Sequence, residues 1–427
     1  MLRKIGFKML GVFCTLFLFS EAYGQNSSSI YSGLGVGEFG FGGQIQNQGM
    51  GGLGISFGTG WNANTVNPAL TTRNTIFNFQ ASLNYKRIQM QNSAEKSLVD
   101  GGGLSYVAIS LPVKSGKFTS GLGLGQISSI NYRLKVDSPV SNSELTANSY
   151  LEGDGGISEA YVNFGYVLAK NLSIGAHASY LFGSSIRSNQ LLVFDKKGVE
   201  VGRASEYYER VNVSDVAFKL GAHYFFKTSE KTNLHLGAIY QKFGDVNGTA
   251  FAKLAPIGQA SSLKTDGDLL ANNEKGSIYL PNRYGFGFSI EKINKFVIGL
   301  EGQYQDFSQY RNFFGQPLSL QAAQKVGLGF QIVPDYMDFD RLLNRATYRV
   351  GLEYMQTPFF INQTDINDIG INFGTSIPVN QLSLLNLAVK VGRRGTVENG
   401  LIQEAYVNFS LGLSLNDNSW FYKRVFE

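Results

Sequence analysis

Apolar and polar residues alternate with a period of two along most of this chain. Between residues 159 and 170, Val162, Phe164, Tyr166 and Leu168 share one face, with Tyr161, Asn163 and Gly165 on the other. The next segment sets Ile174, Ala176, Ala178, Tyr180 and Phe182 against Ser173, Gly175, His177 and Ser179. Later, Val216, Phe218, Leu220, Ala222, Tyr224 and Phe226 oppose Lys219, Gly221 and His223. Near the end Val407, Phe409, Leu411, Leu413 and Leu415 oppose Tyr406, Asn408, Ser410, Gly412 and Ser414. A two-residue period held over this length marks strands with one apolar face, not helices. The pattern predicts about fourteen strands: 76–91, 104–114, 118–136, 159–170, 172–194, 213–228, 232–254, 279–292, 296–310, 322–334, 346–358, 366–378, 384–395 and 402–415.

The connections separate into two alternating sets. One is mostly short: Val113 to Phe118, Ala169 to Ser173, Lys227 to Asn233, Lys292 to Lys295 and Pro378 to Ser383. Its exception, Pro334 to Arg345, has room for one helical turn over Asp340 to Asn344. The other set is longer and more polar: 92–103, 137–158, 195–212, 255–278 and 311–321. Short turns at one end and long loops at the other distinguish an outer-membrane barrel from a soluble one. In lipid every backbone amide must be paired within the protein, and a closed barrel does this without leaving an edge. The expected fold is therefore all-β, a transmembrane antiparallel barrel with its apolar face toward lipid. A soluble propeller or double sandwich would need a burial partner for each apolar face and repeated blade motifs, which are not found.

Composition fits. Charged residues are 16% of the chain, against roughly 25% in soluble domains. There are 51 glycines and 9 prolines among the 427 residues, and the mean hydropathy is −0.08. The net charge of +5 is too small and too scattered for a nucleic-acid footprint. Arg3, Lys4 and Lys8 precede an apolar run from Met9 to Phe19, and Ala22-Tyr23-Gly24 offers a small-residue cleavage site. That is the pattern of a secretory signal peptide over 1–24; a membrane anchor would need roughly 20 apolar residues. The one cysteine, Cys14, lies inside the apolar run, so the mature chain has no disulfide and no thiolate chemistry.

Just before the first strand, Gly49 to Leu70 is glycine-rich and almost uncharged. Such a segment carries too little apolar bulk to fold alone and must be ordered by an enclosing structure. Its residues Gly49-Met50-Gly51-Gly52-Leu53-Gly54, then Asn62 to Asn67-Pro68-Ala69-Leu70, resemble the N-terminal hatch of the FadL/TodX outer-membrane transporters. The length and strand count resemble that family across the whole mature chain, and the glycine-heavy start and aromatic tail look like its members from Bacteroidetes. The chain departs from the family pattern in having Asn62 and Asn64 where most members carry Asp. It also adds Asn416 to Glu427 after the last strand, with Trp420, Phe421 and Tyr422. The resemblance implies a hatch over 25–75 inside a barrel over 76–415, with a periplasmic tail over 416–427. It implies an outer-membrane location and passive uptake of a hydrophobic molecule such as a fatty acid or aromatic hydrocarbon, gated by Gly49, Gly51, Gly52, Gly54, Asn67, Pro68 and Ala69. It also implies a kinked third strand that opens the wall toward lipid. Gly121, Gly123 and Gly125 are candidates for that kink because glycine weakens a strand and marks bends, or else makes room for the hatch.

Other chemistry is sparse. Gly35-Val36-Gly37-Glu38-Phe39-Gly40 fits GxGxxG but has no βαβ unit around it, so it is no dinucleotide site. His177, His223 and His235 each stand alone in the sequence, and neither a metal nor a cofactor is expected. His177-Ala178-Ser179 resembles the acyl-transfer pair of outer-membrane phospholipase A, but the family's following Asn-Gly is replaced by Tyr180-Leu181. A hydrolase is the remote alternative, and no enzyme activity is expected. Lys219, Glu301 and Lys390 are expected to face the lumen, paired with one another or with hatch backbone. The sharper expectation is that Lys219 or Lys390 takes a ligand carboxylate, with Phe39, Phe41, Phe57 and Trp61 around its apolar end. The expected partners are lipid, a hydrophobic ligand and a protein reached through the tail. The leading alternative is a non-conducting barrel subunit of an outer-membrane assembly or secretion complex.

Overall fold

The computed structural model describes residues 29–41, 43–338, 340–380 and 382–417. The expected signal peptide and the tail residues Trp420 to Tyr422 lie outside them. The strands are β1 (Phe77–Gln91), β2 (Lys96–Lys114), β3 (Phe118–Pro139), β4 (Thr146–Ala169), β5 (Leu172–Phe194) and β6 (Ser205–Lys227). Next come β7 (Thr232–Lys242 and Gly244–Pro256) and β8 (Asp268–Leu280 and Arg283–Lys292), each interrupted once. The rest are β9 (Phe296–Asp306), β10 (Ala322–Ile332), β11 (Thr347–Ile361), β12 (Thr364–Pro378), β13 (Ser383–Arg394) and β14 (Gln403–Asp417). Every strand is antiparallel to the next, and β14 pairs with β1 from Gln403↔Gln91 to Asp417↔Phe77. The result is a closed barrel of 14 strands.

Register places the two faces as the alternation requires. Val162, Phe164, Tyr166, Val216, Phe218 and Leu220 are exposed on the outer wall, while Asn163, His177, Ser179, Lys219 and His223 are buried inside. The interruptions have a local cause. Pro281 has no N–H to give the ladder, and the Asn282 side chain caps the opposite break by accepting from the Phe243 amide at 3.3 Å.

Strand lengths correct one expectation. The regions 92–103, 137–158 and 255–278 are largely strand, not loop, and so are residues 205–212: β3 pairs with β4 as far as Pro139↔Thr146, and β5 with β6 as far as Leu191↔Ser205. These hairpins run past the apolar band, where neither face needs to be greasy, so the period-two signal fades while backbone pairing continues.

Candidate functional site: the lumen, its plug and a broken seam

Most of the described residues between Ser29 and Asn74 are buried, and many of them lie against the inward face of the strands. The wall accommodates them with glycines at inward positions. An added Cβ would lie 2.3 Å from the Ala69 nitrogen at Gly175, 2.1 Å from Asn67 Oδ1 at Gly221 and 1.9 Å from the Ile55 oxygen at Gly237. On the far side it would lie 2.3 Å from the Gly51 oxygen at Gly327 and 2.1 Å from the Gly51 nitrogen at Gly351. Backbone meets backbone around much of the circumference.

Polar side chains then fix the segment. The Glu301 carboxylate, on β9, accepts from the amides of Gly54 (2.8 Å), Ile55 (2.8 and 2.9 Å) and Ser56 (2.7 Å) and from the Ser56 hydroxyl (2.8 Å). Hydrogen bonds to an ionised acceptor are the strong ones. Asn67 caps the turn Pro68–Arg73 by accepting from Ala69 N at 3.0 Å, and donates to the carbonyls of Ile55 (2.7 Å) and Ala222 (3.0 Å). Asn64 accepts from the amides of Val66 and Asn67 while donating to Gly54 O at 3.0 Å. Donating and accepting at once requires an amide and explains physically why Asn serves here where Asp would not. Nearer the long-loop end, Glu38 binds Lys86 (2.9 Å) and Arg394 (2.6 Å). Burial alone would raise the Glu38 carboxyl, but the charges of Arg394 and Lys86 hold it well below the usual carboxylate range.

The sequence candidates fall within this framework. Lys219 donates to Thr65 O at 3.0 Å, and Lys390 pairs with Glu353 at 3.1 Å. Both lysines are thus engaged by the protein itself. Phe39 packs edge-on against Phe243 and Phe307, and Arg283 lies 4.5 Å above the Phe41 ring centre. Phe57 joins Met50, Leu53 and Val297, whereas Trp61 is 48% exposed at the short-turn mouth. His177 stacks on Tyr161 and lies 3.4 Å from Glu159, and the Ser179 hydroxyl donates to Ala217 O at 3.4 Å. His177 and Ser179 are not hydrogen-bonded to each other, so the pair on which the remote hydrolase alternative rests is not assembled.

The expectation that each histidine stands alone is corrected in space. His223 Nε2 and His235 Nδ1 are 3.0 Å apart, and His235 Nε2 is 3.0 Å from Glu291, which also pairs with Arg73 of the inner segment at 3.2 Å. Strand pairing between β6, β7 and β8 brings together residues far apart in sequence. The arrangement is a hydrogen-bonded chain, and among the described residues no group of histidines and carboxylates is set to hold a metal ion.

The barrel wall is not uniform. β3 pairs with β2 only from Lys114↔Phe118 to Tyr106↔Gly125. Beyond Gly125 it keeps β4 as partner, with a bulge between Gln126 and Ser128, and turns to the inner segment. Ser128 and Ser129 pair with Phe39 and Glu38, and Gly40 N donates to Ile127 O at 2.9 Å. Gly121 and Gly123 lie just below that bulge, in the paired part. A Cβ there would meet Asn163 Oδ1 at 2.2 Å and the Tyr161 hydroxyl at 2.5 Å, so these two glycines make room for lumenal side chains. Below the bulge, Leu122, Leu124, Val162 and Phe218 line an apolar hollow of about 540 Å³ on the outer wall.

Behind the seam, Val36, Phe41, Ile127, Leu181, Phe307 and Phe313 belong to one buried apolar cluster. The spaces beside it, next to Val36 and Phe39, are only about 30 and 20 Å³. A basin of about 590 Å³ opens at the short-turn mouth.

A plugged antiparallel barrel with both ends of its sheet at the short-turn end belongs to the class of outer-membrane β-barrels. The chain belongs to the BamG family, whose family model matches residues 1–427. No curated protein matches it. In fold it is similar to the toluene transporter TbuX of Ralstonia pickettii, with 14% identity over 88% of this chain and 98% of that one and a TM-score of 0.56. It is similar to the toluene transporter TodX of P. putida, with 17% identity over 87% and 97% and a TM-score of 0.56. A Pseudomonas aeruginosa FadL homologue has 14% identity over 87% and 98%, with a TM-score of 0.56. The expected likeness to FadL/TodX proteins thus holds for the fold, while the family is BamG.

Proposed function

We propose that this barrel lets hydrophobic small molecules, of the fatty-acid or aromatic-hydrocarbon class, cross the outer membrane, with Gly49 to Ala69 as the gate and the seam above Gly125 as the lateral exit. The observation that carries this reading is the loss of β2–β3 pairing above Gly125 beside a buried apolar cluster. The neighbours named as toluene transporters support it by fold. Uptake of toluene or a long-chain fatty acid by vesicles holding the purified barrel tests it. Entry above that of empty vesicles is expected, and it should drop when a disulfide between Phe39→Cys and Ser128→Cys ties the inner segment to β3. Entry no faster than through empty vesicles refutes it.

A second reading is favoured by one observation, the filled interior. On it the barrel is a non-conducting subunit of an outer-membrane assembly or secretion complex, with residues 416–427 as a contact. Co-purification of a protein partner with the full chain, lost on removing those residues, supports this reading.

A further inference from the structure

The basin at the short-turn mouth has an unusual charge distribution. Arg73, Lys292, Lys295, Arg345 and Arg349 line it, and among the described residues Glu291 is its only acidic lining group. Glu291 is already occupied by Arg73, His235 and Asn233. The exceptional member is Arg349 on β11, which is 6% exposed. Its Nε donates to Gln331 Oε1 at 2.8 Å and its Nη1 to Ser376 Oγ at 2.7 Å, both neutral. Among the described residues no carboxylate lies within ion-pair distance of it. A buried guanidinium without a counter-charge is costly unless something supplies one, and its planar fork fits a carboxylate in two-point contact.

The rim is apolar where the barrel meets water. Trp61 and Tyr336 are about half exposed on the basin's edge, and Met337, Leu342 and Leu343 project from the same 334–346 connection. Clustered apolar groups at an aqueous end mark a contact surface. The basin is lined by Phe57 and Arg73 of the plug together with residues of the short turns, such as Asn294 and Asn380, and so lies at the barrel's mouth.

We propose that this mouth is a docking site for an acidic, aromatic-bearing segment of a second polypeptide, with one carboxylate reaching Arg349 and the apolar groups covering Trp61 and Tyr336. Charge complementarity selects the occupant, and the proposal holds whether or not the barrel conducts.

The test uses the full chain folded in detergent and a short labelled peptide alternating glutamate with phenylalanine, followed by fluorescence anisotropy. Controls are the same peptide with glutamine for glutamate, and free decanoate as competitor. The acidic peptide is expected to bind, to weaken as salt is raised, and to lose about tenfold or more in affinity in Arg349→Gln. Arg349→Lys, which keeps the charge but not the fork, falls between. Arg393→Gln on the outer wall leaves binding unchanged. Heat-dependent gel mobility confirms that each variant is folded, and Arg349→Lys serves if Arg349→Gln is not. Equal binding of the acidic and neutral peptides, or no change in either Arg349 variant, overturns the proposal. Displacement by decanoate at concentrations below those at which the peptide itself binds also overturns it, because the site would then belong to a small acid.

Discussion

Replacing Gly237 by alanine tests whether the inner segment is clamped by backbone contact. The new methyl carbon would lie 1.9 Å from Ile55 O and 2.5 Å from its carbonyl carbon, about 1.5 Å short of ordinary contact. β7 cannot retreat, because Gly237 pairs with His223 on β6 and with Gly287 on β8. Ile55 cannot retreat freely either, because Glu301 holds its amide and both neighbours. Overpacking of this kind costs about 1–3 kcal/mol. If Ile55 moves instead, each lost bond to the carboxylate costs about 1.5–3 kcal/mol. Either way the plugged state should lose about 2 kcal/mol or more. Urea unfolding of the detergent-folded barrel reads the loss, and proteolysis within Gly49–Arg73 reads release of the segment. Gly125→Ala is the control, since its Cβ would meet nothing closer than 3.8 Å. If Gly237→Ala matches wild type in both assays, the plug does not sit against the wall as described.

Glu301→Gln keeps the shape but removes the charge, and sets an N–H against amides that are themselves donors. Conductance in planar bilayers should rise or flicker, and an unchanged trace counts against the latch. Asn67→Asp turns a donor to Ile55 O and Ala222 O into a buried charge facing two carbonyls. It should cost about 1–3 kcal/mol or more in urea unfolding, and more than Asn67→Ala. Arg73→Met cuts the plug from Glu291, so protease access to 60–73 should increase while the barrel stays folded.

Much of the wall was legible in the sequence because lipid on one side imposes a repeat that chance rarely sustains. The strand over 172–194 was bounded within a residue by that repeat alone. The far ends of β2, β4, β6 and β8 (residues 96–103, 146–158, 205–212 and 268–278) were missed because solvated hairpins carry no such repeat. The meeting of His223, His235 and Glu291 depends on register between three strands, which a single sequence does not state. The glycines that seat the plug did leave a trace: Gly175, Gly221, Gly237, Gly327 and Gly351 all fall on the inward phase of their strands. Lys219 meets plug backbone, at Thr65 O, as one of the expected kinds of partner, whereas Lys390 pairs with Glu353 on another strand, which was not foreseen.

The seam between β14 and β1 is paired along its full length, from Gln403↔Gln91 to Asp417↔Phe77. Glu301, on β9, holds the plug from across the ring, and Ser29 is tied by its hydroxyl to Glu404 on β14 itself. The leading residues thus take their holding partners from all round the ring, from Lys86 on β1 to Glu404 on β14. Because one of these ties is to β14 itself, the plug has its full set of partners only when the last strand is in place, so seating of the stopper and closure of the cylinder are completed together.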